Sequence, residues 1–356
     1  MVINWIVVVL ILFFAILRIN KYAALFILVL YFFLRGDYGN DYYSYLGFYN
    51  EIRLLEFHQL DYYSDISLIE KGWVYLNWIS SFFGVPFNGF IVFWNIVYLY
   101  LLNKLISSIT KNNHEYNLVI LLMVLDPDFI LTHFSLLRQA IPLLIFYLAF
   151  LNLRKLNKLK IIVISVITIS IHSSAAFPAV ALLISYLVYK SNINLKKINI
   201  TYIILIVISI LSLVYKYLDF ILAFIFLNFT RYQFYLESLN SKEMSYGLSF
   251  FWVYSISFFY YIIRKHSSNY DKIFLTYSIY MIILPLGLYI GAITRISFYF
   301  QFSILLIILE IYRFLRTRSP SLAVMFLMLG CIIPLFYKSY SWFHQLTWID
   351  EYLNYL

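Results

Sequence analysis

Long apolar runs, broken at short intervals by small polar clusters, set the pattern of this chain. Runs of helix length lie at 3–17, 22–34, 88–105, 116–131, 138–153, 161–171, 174–189, 199–218, 247–263, 273–291, 296–312 and 321–337. Several are shorter than the ~20 residues that a membrane span takes. Two polar interruptions are long, 35–87 and 219–246, and 338–356 forms a tail. The first is rich in Tyr and acids and contains an amphipathic or re-entrant stretch at 73–83. The pattern predicts an all-α polytopic membrane protein, one integral domain over 1–356 with roughly 12 transmembrane helices. Its broken or re-entrant segments are expected to line an outward-facing cavity, because irregular backbone at membrane depth is tolerated only there.

Composition sharpens this. Of 356 residues, 63% are hydrophobic and 12% charged, with a mean hydropathy of +0.83. A soluble domain carries about a quarter charged residues, so water-soluble classes are excluded. The net charge of +9 does not point to nucleic acid, because the basic residues gather in short connections between apolar runs. A single cysteine, Cys331, allows neither an internal disulfide nor a cysteine-based metal centre. Segment 3–17 has no basic residues ahead of it and reads as a retained helix rather than a cleaved signal.

Most of the 26 Lys+Arg fall at 18–21, 104–111, 154–160, 190–197, 264–272 and 313–318, in alternate connections. Only Glu115, Asp271 and Glu310 of the acids share that side. The positive-inside rule makes these clusters cytoplasmic and puts both termini outside. The inner loops are short, with no P-loop or glycine-rich fingerprint, so no nucleotide cofactor and no metal is expected. Activated groups must then arrive on a carrier, most simply a lipid.

Five arginines break the asymmetry. Arg35, Arg53, Arg138, Arg231 and Arg295 fall on the acidic, outer side. Charge near a membrane is costly, so arginines kept beside apolar helices suggest a site for an anion. Depth supports the idea for some of them. From Lys160 to His172 is about 18 Å of helix, from Arg154 back to Arg138 about 24 Å, and from Arg313 back to Arg295 about 27 Å. Against a hydrocarbon layer of ~30 Å, these groups sit at or below the outer boundary. The plain alternative is that each arginine snorkels to headgroups, and that His172 with Ser173 and Ser174 is a hydrogen-bonded kink.

The motifs carry a resemblance. Arg35-Gly36-Asp37-Tyr38-Gly39-Asn40-Asp41-Tyr42-Tyr43-Ser44-Tyr45 resembles the Arg…Gly-x-Asp…Tyr signature of the EpsG family, which belongs to the Wzy-like polymerases of bacterial surface glycans. Glu70-Lys71-Gly72-Trp73 is similar to that family's Glu-x-Gly element, and Ser135-Leu136-Leu137-Arg138-Gln139 to its Arg-Gln helix start. Ile171-His172-Ser173-Ser174-Ala175 resembles its His-x-Ser-Ala element, and Thr294-Arg295-Ile296-Ser297-Phe298-Tyr299 its late arginine. The order holds from about 31 to 315. Region 219–246 has no counterpart, so Arg231 rests on the charge pattern alone.

The resemblance implies a polymerase in the bacterial cytoplasmic membrane, acting at the outer face on polyprenyl-diphosphate-linked oligosaccharide repeat units. A flippase and a chain-length regulator are the expected partners. Arginine's planar fork matches phosphate oxygens, so Arg138 and Arg295 are the candidates to neutralise the leaving diphosphate. His172 is a candidate base or phosphate ligand, and Asp41 and Glu70 are alternative bases. Arg35, Arg231, Tyr42, Tyr45 and Gln139 are candidates for substrate binding, the tyrosines by stacking on sugars or, alternatively, as a headgroup belt. Asp126-Pro127-Asp128 resembles the paired acids with which some lipid-dependent glycosyltransferases hold a cation, but its proline already explains a helix break. Competing readings are a glycan ligase, a lipid-linked oligosaccharide flippase and a membrane O-acyltransferase. The apolar inner halves of the helices count against transport, and the outward His172 against a cytoplasmic acyl donor.

Overall fold

A computed structural model describes residues 2–33, 41–134, 136–191, 248–263, 273, 276–281, 283–284 and 291–345. Arg35, Arg231, the run 199–218 and the external segment 219–246 lie outside the described residues. Among the described residues there is no β-strand. Helices α1 (Val2–Ile16) and α2 (Lys21–Phe33) precede three short ones, α3 (Tyr42–Ile52), α4 (Leu60–Ser67) and α5 (Lys71–Phe82). Then come α6 (Phe87–Ile109), α7 (Asn113–Leu125), α8 (Pro127–Phe134), α9 (Leu137–Leu151), α10 (Lys158–Ile171) and α11 (Ala176–Lys190). The chain continues with α12 (Leu248–Ile263), α13 (Gly291–Arg318) and α14 (Pro320–Met325), and passes through a π-helical turn at Phe326–Ile332 into α15 (Ile333–Gln345).

Among the described residues, four helical stretches are long and apolar enough to cross a membrane: Phe87–Ile109, Ser173–Lys190, Arg295–Arg318 and Pro320–Ser341. Shorter apolar helices lie at Trp5–Ile16, Lys21–Phe33, Leu137–Leu151 and Trp252–Ile263. Outward faces are apolar too: Val9, Phe13, Ile162, Val166 and Leu187 are all exposed. A water-soluble protein rarely shows contiguous apolar surface of this kind.

Local sequence explains the helix ends. Asn112 caps α7 by accepting from the Glu115 amide at 2.9 Å, and the Glu115 carboxylate accepts from the Lys111 amide at 2.8 Å. Asn157 caps α10 in the same way through Lys160. The apolar run expected as one span at 116–131 is two helices. Proline at 127 biases Asp126 away from the helical region, and α7 ends with Asp126 at φ −93°, ψ 110°.

The chain divides into two compact units, Met1–Leu182 with Leu315–Leu356, and Leu183–Phe314. In the first, α1 and α2 pack on α7, α6 on α9, α10 on α9 and α5, and α15 on α7 and α8. Asn117 ties the α1–α2 turn down, its amide donating to the Ile19 carbonyl at 2.9 Å. In the second, α13 is buried on almost every face from Phe298 to Tyr312, and Glu310 pairs with Arg313 at 3.0 Å. Arg295 stands half-buried near the start of α13.

Candidate functional site

In the acidic segment after α3, α4 and α5 pack together as a helical hairpin. Leu68, at φ 56°, ends α4 in the left-handed region and turns the chain. Lys71 pairs with Asp61 at 3.1 Å, and the Trp78 indole donates to the Leu55 carbonyl at 3.0 Å. The tip therefore presents Leu68, Ile69 and Glu70. Trp73, fully buried one turn along, meets Trp94 edge-on at 5.1 Å. The Trp94 indole in turn donates to the Leu137 carbonyl at 3.0 Å. Trp94 lies about 10 Å along α6 from its first residue, so α5 and the start of α9 meet at that level.

Close packing brings the tip against α10. A Cβ on Gly72 would stand 2.6 Å from both the carbonyl and the hydroxyl oxygen of Ser170, so only glycine fits there. We expect Gly72→Val to push α5 off α10 and lower the thermal midpoint of the purified protein. An unchanged midpoint from that variant would show the contact to be dispensable.

The tip carboxylate then meets two other hairpins. Arg138 Nη1 donates to Glu70 Oε2 at 2.6 Å, with both side chains largely buried. The Ser173 amide and hydroxyl both donate to Glu70 Oε1, at 2.9 and 2.8 Å. Tyr45 lies under the guanidinium, 5.8 Å from ring centre to Cζ, and Tyr45 packs on Trp73 at 5.8 Å. Burial pushes the Glu70 carboxyl up, but Arg138, His172 and the two Ser173 donors outweigh it and hold it at about 2. With a depressed value, the interaction is complete above about 4.5 and is lost only as pH falls through about 2. Glu70 is thus a fixed anion at ordinary pH.

His172 ends α10 in extended conformation and caps the short turn Ser173–Ala175. Its Nδ1 accepts from the Ser174 amide at 3.2 Å and lies 2.8 Å from the Ser174 hydroxyl. An Nδ1 that accepts an amide proton puts the neutral ring's own proton on Nε2. The Gln139 amide nitrogen is 3.3 Å from that Nε2, while Gln139 Oε1 is buried with no hydrogen-bond partner among the described residues. Turning the Gln139 amide over makes Oε1 the acceptor of Nε2–H and satisfies both groups.

A family model described as the EpsG family matches residues 19–356, nearly the whole chain. The chain belongs to the EpsG family. No curated relative and no solved structure matches it. Of the residues that carry the EpsG resemblance, the fold brings Glu70, Arg138, Gln139 and His172 together in one unit. Asp41, at the start of α3, acts electrostatically on the Arg138 guanidinium. Arg295 belongs to the other unit. Tyr42 and Tyr45 are buried, the Tyr42 hydroxyl donating to Asn88 Oδ1 at 2.9 Å and Tyr45 making a side-chain hydrogen bond to the Arg138 guanidinium. Arg53 is exposed at the end of α3.

Two contributors escaped the sequence reading. Ser173 was legible only as a neighbour of the histidine, yet its amide and hydroxyl both donate to Glu70. Lys338 was read as tail, yet its ammonium bridges Asp126 and Asp128 at 2.7 Å to each. The paired acids of the Asp126-Pro127-Asp128 break thus hold a lysine from α15. The available signal was a lone lysine closing an apolar run, opposite an acidic pair that closes another.

Proposed function

We propose that this EpsG-family chain polymerises surface glycan, joining polyprenyl-diphosphate-linked oligosaccharide repeat units at the outer face of the bacterial cytoplasmic membrane. The observation that carries the reading is the Arg138–Ser173 cluster. A guanidinium, a backbone amide and a hydroxyl converge on one oxyanion at the meeting point of three hairpins. A leaving diphosphate gains negative charge as its bond to the anomeric carbon breaks, and fixed donors at that place stabilise it.

In the reaction, the bond from the anomeric carbon to the diphosphate oxygen breaks and its electron pair stays on the diphosphate. The acceptor sugar's hydroxyl oxygen bonds to that carbon and gives up its proton. Glu70 is a poor proton acceptor, because it is held ionised at about 2. His172 spends its lone pair on Ser174, which makes it an Nε2–H donor in this account. Asp41, the other candidate carboxylate, is half-exposed, acts electrostatically on Arg138 and is suited to take the proton.

The histidine's role separates by substitution. Asn supplies an oxygen that caps the Ser174 amide, so His172→Asn should keep chain length within about threefold of the parent while His172→Ala shortens it strongly. In the parent, polymerisation should be flat across external pH 6 to 8. An acid limb near the ordinary histidine value of about 6.5, with Asn as inactive as Ala, would restore the base role.

A strain deleted for this gene tests the function as a whole. We expect surface glycan with a single repeat unit and no ladder. Absence of even one repeat unit at the surface would favour a flippase or ligase.

A further inference from the structure

We propose that Glu70 is an internal stand-in for the substrate's phosphate, a displaceable latch that fills the anion site until the lipid diphosphate arrives. This rests on the diphosphate reading of Arg138 above and adds to it a resting state that the ligand must open.

Among the described residues, donors from elsewhere in the fold converge on the Glu70 carboxylate: Arg138 Nη1 at 2.6 Å, the Ser173 amide at 2.9 Å and the Ser173 hydroxyl at 2.8 Å. That set would serve a phosphate oxygen equally well. The contact also leaves the guanidinium under-used. Among the described residues Nη1 donates to the carboxylate and Tyr45 hydrogen-bonds the guanidinium, while Arg138 Nε is buried with no hydrogen-bond partner. An orphaned buried N–H is costly, and the paired Nε/Nη edge of arginine matches two phosphate oxygens. A carboxylate held through Nη1 leaves the Nε–H unmatched.

Glu70 itself has somewhere to go. It occupies the position preceding the first residue of α5, yet its side chain makes no cap bond to that helix. The amides of the first turn of α5 remain available to a carboxylate released from Arg138. Acid does not open the latch at ordinary pH, since the carboxyl is held at about 2. The opening must therefore come from a competing anion, and it frees the tip of the α4–α5 hairpin at the moment of binding.

Binding of farnesyl diphosphate to the purified full-length protein tests this, using the parent, Glu70→Gln and Arg138→Ala, with farnesol as the uncharged control. Removing the competing charge should tighten binding by about tenfold or more in Glu70→Gln. Arg138→Ala should lose binding, and farnesol should show none of these differences. Equal or weaker binding by Glu70→Gln, with Arg138→Ala still defective, would overturn the latch and leave the diphosphate site standing. Parent-like binding by Arg138→Ala would overturn the site itself. A second measurement needs no variant. Hydrogen exchange of residues 60–72 in the parent should quicken on adding farnesyl diphosphate, and unchanged or slower exchange would contradict the latch.

Discussion

Arg138→Ala should abolish the glycan ladder while single repeat units still reach the surface. Removing one fixed donor from a developing oxyanion costs about a hundred- to a thousandfold in rate. Here the donor carries a full charge and stands in a largely buried site, so the upper end is expected. Arg138→Lys is the sharper variant. It keeps the charge that Glu70 needs, so the hairpin tip stays in place, yet a point-like ammonium cannot present the Nε/Nη edge to two phosphate oxygens. We expect folded protein with a ladder nearly as defective as that of Arg138→Ala. Gel analysis of surface glycan, read beside the amount of protein in the membrane, separates lost chemistry from lost fold. A normal ladder from Arg138→Lys would mean that charge alone suffices.

Lys338→Ala should be the most destabilising single change outside the site. The ammonium lies 2.7 Å from Asp126 and from Asp128, and the Asp126 side chain is only 5% exposed. Taking the cation away leaves a buried carboxylate uncompensated, which costs about 3–5 kcal/mol in comparable pairs. The consequence spreads along the chain, because this ion cluster pins α15 to the break between α7 and α8, and α8 leads directly into Arg138. The thermal midpoint of the purified protein should fall sharply. Combining Lys338→Met with Asp126→Asn and Asp128→Asn should recover most of the loss, since no unpaired charge remains. An unchanged midpoint for Lys338→Ala would show the cluster to be ornamental.

The two cases also mark what the sequence makes legible. Helices α1, α2, α6, α9, α10 and α12 follow from apolar runs with polar ends, because desolvation alone decides them. The short helix α5 is visible as an amphipathic or re-entrant stretch at 73–83, too short to span. Glu70, Arg138 and His172 were visible as motif residues. Their partnership was not. Glu70 is 68 residues from Arg138 and 103 from Ser173, and Lys338 is 212 from Asp126. Charge complementarity says that such groups need partners, but only packing says which ones. Tyr45 makes the same point. Its place in a Tyr-rich segment suggests a sugar-stacking ring, and no local pattern says that it packs on Trp73 and hydrogen-bonds the Arg138 guanidinium. Gly72 was part of a motif, and its physical reason is a 2.6 Å approach to Ser170 that no local pattern encodes.

The most direct measurement is a count of lipid diphosphate against bonds formed. The purified protein, supplied with the host's lipid-linked repeat unit in liposomes, is expected to yield one free polyprenyl diphosphate for every new glycosidic bond, and neither product when Arg138 is replaced by Ala. Bond formation without released diphosphate, or a parent-like count from Arg138→Ala, would contradict the account.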